Sequence, residues 1–217
     1  MLKAKGHEVI NVNLPGHGAD DTPFAEITLR SYADAVKTAI GDLTDLILVG
    51  HSMAGIVISQ VGEEIPGQIK KLIYLAAFLP LDGQSLLDLG KTDTDGHTGW
   101  FLQIDEPNHI AIIKREGIID VFLENVPREI VEKILANWKD EPLAPLVTPV
   151  HLTAANFGSV KKIFIHTQFD HSVGYTLQLQ MVKATPVAKE YTLPSPHTPF
   201  FSMPRKLADI LLGESNG

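Results

Sequence analysis

The chain has no cysteine among its 217 residues. That absence excludes disulfides, thiol nucleophiles and cysteine-held metals, and it fits a reducing compartment. No apolar run is long enough to span a bilayer; the longest, Leu72 to Leu81, is about half what a spanning helix needs. Met1-Leu2-Lys3-Ala4-Lys5-Gly6 holds no apolar signal core, so a cytoplasmic location is expected. Excess positive charge is missing too. The formal net charge of −8 argues against nucleic acid and membrane surfaces as partners. Internal repeats and low-complexity segments are absent. His97, His109 and His151 lack metal-ligand spacing, and neither a metal nor a cofactor is expected. The Asp93-Thr94-Asp95-Gly96 run places Ile104 where a calcium loop needs glutamate, so it reads as a solvated turn.

What the chain does contain is organised around Leu46-Ile47-Leu48-Val49-Gly50-His51-Ser52-Met53-Ala54-Gly55-Ile56-Val57-Ile58. An apolar run stops at a glycine, offers one serine, and restarts behind two small residues. The pattern predicts a buried parallel strand, a sharp turn and a helix packed back onto the sheet. Ser52 is expected in a strained conformation, with Gly50 and either Ala54 or Gly55 kept small where backbones nearly touch. This is a nucleophile elbow, G-x-S-x-G, with alanine in the last place. No lysine follows the turn, which disfavours a phosphate loop.

Around it the chain alternates. Met1–Gly6 reads as the last turn of a helix closed by glycine. His7–Leu14 is an expected strand, and Thr28–Ile40 an amphipathic helix capped by Thr28 and ended by Gly41. Leu46–Val49, Lys71–Phe78, Lys161–His166 and Lys189–Leu193 are expected strands; Ala54–Val61, Tyr175–Val182 and Lys206–Leu212 are expected helices. Such alternation means an α/β fold with a mostly parallel sheet flanked by helices. Residues 1–80 and 159–217 form the expected core. Residues 81–158 contain no convincing strand, with helices expected over Pro107–Arg115 and Pro127–Trp138. They read as a helical cap over the strand C-termini.

A serine hydroxyl needs an imidazole to take its proton and an acid to orient that imidazole. In this architecture they follow in the order Ser, Asp, His. His197, after the last strand, is the expected base, and Asp170, after the preceding strand, the expected acid; Asp82 is the fallback acid. Met53 should offer its backbone N–H to an oxyanion. His51 fills the variable elbow position, His17 sits in a turn, His166 lies inside a strand, and His171 neighbours the acid. Phe78, Leu79, Trp100, Phe101, Phe122, Trp138 and Phe200 are candidate walls of an apolar pocket.

Leu14-Pro15-Gly16-His17-Gly18, Val49–Gly55 and Tyr74–Pro80 resemble α/β-hydrolases of the salicylate-ester and pyrethroid esterase type, kin to hydroxynitrile lyases. Glu141–Pro145, Phe157–Val160 and Pro196–Ser202 add to the likeness. The resemblance implies a cofactor-free esterase on small, mainly apolar or aromatic esters, with Ser52, Asp170 and His197 as its triad. The expected partner is that small ester, and a homodimer is left open. His51 and Thr198 depart from the lyase pattern and disfavour cyanohydrin cleavage. A catalytically silent ligand binder is the alternative from another class. Family members also carry, ahead of anything like His7–Leu14, a strand and His-Gly loop that supply a second oxyanion donor, worth about 3 kcal/mol. This sequence starts after that strand, so the slot is filled by residues upstream of Met1, by a strand from another chain, or by His7–Leu14 pairing directly with Leu46–Val49, which is the arrangement expected here.

Overall fold

Apolar runs and turn residues partition the chain as follows in the computed structural model, which describes residues 1–215. Helix α1 (Leu29–Ile40) precedes strand β1 (Leu46–His51), and helix α2 (Ala54–Glu64) leads to β2 (Ile69–Leu75). An insertion follows, with α3 (Leu86–Gly90), α4 (Thr98–Phe101), β3 (Leu102–Asp105), β4 (Ile110–Ile113), α5 (Arg115–Phe122), α6 (Arg128–Ala136), β5 (Glu141–Pro142) and α7 (Leu143–Val147). The chain then returns through β6 (Lys161–Thr167), α8 (Tyr175–Ala184), β7 (Lys189–Leu193), α9 (Pro199–Ser202) and α10 (Pro204–Ser215). The opening turn, Lys3–Lys5, is closed by Gly6 at φ 86°, a left-handed cap that suits glycine.

The main sheet is parallel in the order β1-β2-β6-β7. β2 and β6 are buried almost throughout, as central parallel strands covered on both faces must be. On one face Leu207 of α10 meets Ile73, Leu75, Ile163, Ile165 and Leu193. On the other, the apolar stripes of α1, α2 and α8 join Leu72, Tyr74 and Phe164 in the principal core. Thr28 caps α1: its side chain accepts from Ser31 N–H at 3.1 Å, and Ser31 Oγ accepts from Thr28 N–H. A buried ion pair fastens α10, with Lys71 Nζ 3.0 Å from Glu214 Oε2 and the Tyr191 hydroxyl donating to Glu214 Oε1 at 2.6 Å. The tyrosine bond is the largest influence holding Glu214 down to a pKa of about 2.

Two expectations are corrected. The insertion is not all helix: β3, β4 and β5 form a small antiparallel sheet. The stretch expected as a helix over Pro107–Arg115 is instead a hairpin turn and a strand. Asp105 accepts from the backbone and side-chain nitrogens of Asn108, and His109 adopts φ 60°, which turns the chain back on itself. Ile110, Ile112 and Ile113 then suit the pleated sheet better than a helix.

His7–Leu14 is likewise not a strand, and among the described residues it makes no ladder with β1. Val12 and Leu14 do face the principal core. Its end is pinned elsewhere, however. Gly16 N–H donates to Asp20 at 2.8 Å, His17 Nε2 lies 2.9 Å from the Tyr32 hydroxyl on α1, and a Cβ at Gly16 would stand 2.6 Å from Ile27. A turn held this firmly cannot translate by the strand spacing of about 4.8 Å that direct pairing needs. β1 therefore pairs with β2 alone, and Val49 is 44% exposed.

Carboxylates join the insertion to the core. Glu63 on α2 accepts from the backbone N–H groups of Thr153 and Phe157 and from the side chains of Thr153 and Asn156. Asp93 and Asp95, expected as a solvated turn, accept from Gly174 and Thr176 N–H at 2.8 and 2.9 Å and so cap α8. His17 Nε2 stands 3.3 Å from Glu141 Oε2 of β5. The Glu141 contact outweighs partial burial and raises the His17 pKa above its ordinary 6.5. A raised histidine favours the fold in its protonated form. Its contribution should be complete below pH of about 6.5 and disappear as pH rises through the folded-state value. The gap in unfolding midpoint between the wild-type chain and His17→Gln, measured from pH 5.5 to 8.5, should accordingly shrink with rising pH. A constant gap would show that the pair is not ionic.

Candidate active site

The elbow follows from crowding. β1 ends at His51, α2 begins at Ala54, and Ser52 between them sits at φ 55°. A non-glycine residue there carries roughly 1–3 kcal/mol of strain, which the surroundings must hold. They do so through backbone bonds: Ser52 N–H donates to Leu75 O at 3.3 Å, and Phe78 N–H donates to Ser52 O at 3.1 Å. The close approaches require glycine at two places. A Cβ at Gly50 would lie 2.7 Å from Ala54 O, and one at Gly55 would lie 2.1 Å from Phe78 O. Of the two small residues behind the serine, it is Gly55 that cannot grow, which is why alanine is tolerated at 54.

His197 and Asp170 come together from two successive strand ends. His197 Nδ1–H donates to Asp170 Oδ2 at 2.9 Å, and both side chains are buried. Asp170 Oδ1 accepts from Ser172 and Val173 N–H at 2.7 and 2.9 Å, and Oδ2 also accepts from Thr167 Oγ1 at 2.7 Å. A carboxylate so surrounded is fixed in direction. Asp82, the fallback acid, is elsewhere: it is half exposed and bonds Leu152 N–H and His151. Ser52 and His197 share no hydrogen bond; His197 Nε2 is shielded from solvent and makes none. Met53 N–H, just before α2, makes no hydrogen bond within the described chain.

Two side chains that pattern reading passed over support this arrangement. His51 Nε2–H donates to the His197 carbonyl at 2.8 Å, and the two rings lie 4.4 Å apart. Burial first, and the neighbouring His197 second, lower the His51 pKa to about 3, so it is neutral near pH 7. Gln178 on α8 is fully buried; its Oε1 accepts from Thr167 N–H at 3.0 Å and its Nε2 donates to Val173 O at 2.7 Å. The GHS sequence could have flagged His51, whereas a glutamine on a helix face carries no such signal.

Of the expected walls, Phe122 and Phe200 reach this region. Phe122 stands 5.8 Å from the His197 ring and 5.5 Å from Trp138, and Phe200 packs edge-on against His51 at 5.1 Å. Trp138 Nε1 is shielded and makes no hydrogen bond. Trp100 instead is 68% exposed and stacks on His97, while Phe78 and Leu79 are core residues.

The model of the alpha/beta hydrolase family matches residues 1–210. The chain belongs to that family. A chloroplastic Arabidopsis thaliana protein named as a methylesterase, number 11, is 30% identical over 98% of this chain and 58% of its own length. The chain thus spans about half the length of the first curated relatives it matches. A pyrethroid hydrolase from Sphingobium faniae JZ-2 superposes with a TM-score of 0.89 at 23% identity, covering 100% of this chain and 89% of that one. Polyneuridine aldehyde esterase gives 0.84 at 20% identity, covering 98% and 90%. These likenesses establish the fold.

The elbow geometry sets an expected outcome. Gly55→Ala should destabilise the chain by about 1–3 kcal/mol, because its methyl meets backbone, which cannot step aside as a side chain would. Denaturant unfolding of the variant checks this; an unchanged midpoint would show that the crossing is looser than the coordinates place it.

Proposed function

We propose that the chain is a serine carboxylesterase acting through an acyl-Ser52 intermediate. The observation that carries the proposal is the buried His197–Asp170 bond at 2.9 Å beside a serine held at positive φ on a strand-to-helix turn. Ser52 Oγ attacks the ester carbonyl carbon while His197 Nε2 takes its proton. Asp170 holds the imidazole with Nδ1–H fixed and Nε2 free to act as base. The Met53 N–H, directed from the start of α2, donates to the developing oxyanion, and one such donor is worth about 3–4 kcal/mol. Collapse expels the alkoxide, which takes the proton from His197, and water then repeats the sequence to release the acid. Side chains and water suffice for every step.

The missing Ser52–His197 bond does not oppose the reading, since such bonds tighten when substrate seats. Phe122 and Trp138 favour an apolar or aromatic group on the ester, and the free Trp138 Nε1–H offers one donor to a substrate oxygen. The esterase names of the relatives support the same chemistry. Silent ligand binding is the competing reading.

Hydrolysis of p-nitrophenyl acetate tests both. Turnover should be lost in Ser52→Ala, and Asp170→Asn should lower kcat by about 10⁴ through the wrong imidazole tautomer. Binding of a short aromatic ester without turnover, unchanged by Ser52→Ala, would support the silent binder instead.

A further inference from the structure

A second cluster of histidines and acids lies outside the Ser52 region. His97 precedes α4, Asp120 lies on α5 with Glu124 just beyond it, and His171 belongs to the core loop after β6. His97 Nδ1 is 2.6 Å from Asp120 Oδ2, and His171 Nδ1 is 3.2 Å from Asp120 Oδ1. Glu124 Oε2 stands 3.5 Å from the same His171 nitrogen, is shielded from solvent and makes no hydrogen bond. The backbone fixes the pair, since His97 N–H donates to His171 O at 2.7 Å and the two rings lie 4.1 Å apart.

A hydrogen-bonded latch explains the Asp120 contacts. It leaves unexplained why a second carboxylate turns inward with an oxygen both shielded and unbonded. Two imidazole nitrogens and two carboxylates converging from three segments are a donor set for a borderline divalent ion. Around a tetrahedral zinc ion, ligand atoms at about 2.1 Å from the metal stand about 3.4 Å from one another. The nitrogen and oxygen ligand atoms of His97, Asp120 and His171 all lie within 4.8 Å of one another, so only small side-chain adjustments separate them from that geometry. The nitrogen donors disfavour magnesium and calcium, which prefer all-oxygen shells.

We propose that His97, Asp120 and His171, with Glu124 as fourth ligand, bind one zinc-type divalent cation that clamps the insertion onto the core beside Asp170. Sequence spacing gave no sign of it, because the ligands are scattered between residues 97 and 171 and only tertiary packing collects them. Binding displaces the Nδ1 protons of both histidines. The ion has no part in ester cleavage, so the site stands or falls independently of that reading.

The test uses the untagged full chain, stripped with chelator and titrated with zinc chloride by calorimetry. One zinc per chain is expected, and a hundredfold excess over Kd should raise the unfolding midpoint by about 5 °C or more, with magnesium giving no shift. His97→Ala and Asp120→Asn should each weaken binding by at least about tenfold, while His151→Ala leaves it unchanged. Cobalt(II) added to the unmutated chain gives a readout free of any folding defect in the variants: strong visible absorption from four-coordination supports the site. Failure to bind one zinc per chain, binding indifferent to His97→Ala and Asp120→Asn, or a featureless cobalt spectrum would overturn it.

Discussion

A contact that leaves no room for a methyl group governs the centre of the molecule. Gly55 passes so close to the Phe78 carbonyl that a Cβ would overlap it at 2.1 Å. That proximity lets Phe78 N–H reach Ser52 O, and the same pair of segments carries the bond from Ser52 N–H to Leu75 O. The left-handed serine is then held through both its N–H and its carbonyl. An isolated turn would relax out of φ 55°, so the strain survives only because β2 and α2 are already packed by the apolar core. Core packing thus reaches the reactive turn through two glycines, whose close approaches bring these backbone hydrogen bonds within range.

The insertion is attached by different physics. Its polar contacts with the core include carboxylates that accept backbone N–H groups: Glu63 from the 153–157 segment, and Asp93 and Asp95 from the start of α8. Charge-assisted bonds of this kind are directional and stronger than neutral ones. They set where the insertion sits, while apolar contacts such as those of Leu86, Leu89 and Leu146 supply the bulk of the burial. Phe122 reaches His197, with Trp138 packed behind it, only because the insertion is placed in this way.

Legibility in the sequence followed the range of the interaction. The elbow, the capped α1, the four parallel strands and the Asp170–His197 pair were readable because each has a local signature: a glycine-serine turn, Thr28 before an apolar stripe, β-branched runs, a strand end followed by an acid. The β3–β4 hairpin was missed because Pro107 at the head of an apolar run resembles a helix start, and the decisive Asp105–Asn108 turn is visible only once formed. The inward placing of Asp93 and Asp95 depends on partners some 80 residues away, as does the gathering of His97 with His171. His7–Leu14 shows the remaining limit. Val12 and Leu14 do pack on the core, but an apolar stretch does not name a hydrogen-bonding partner.

That last point bears on the reactive turn itself. β1 carries the elbow at its C-terminal end, yet among the described residues it is hydrogen-bonded to β2 alone, through a register running from Leu46 opposite Ile69 to His51 opposite Leu75. An edge strand is ordinarily the least constrained member of a sheet. Here the constraint is restored past the end of the ladder, where Ser52 N–H continues onto Leu75 O and His51 reaches across to the His197 carbonyl. The elbow is therefore anchored more firmly at its tip than along the strand that delivers it. The geometry of the serine is set by β2, α2 and the histidine loop.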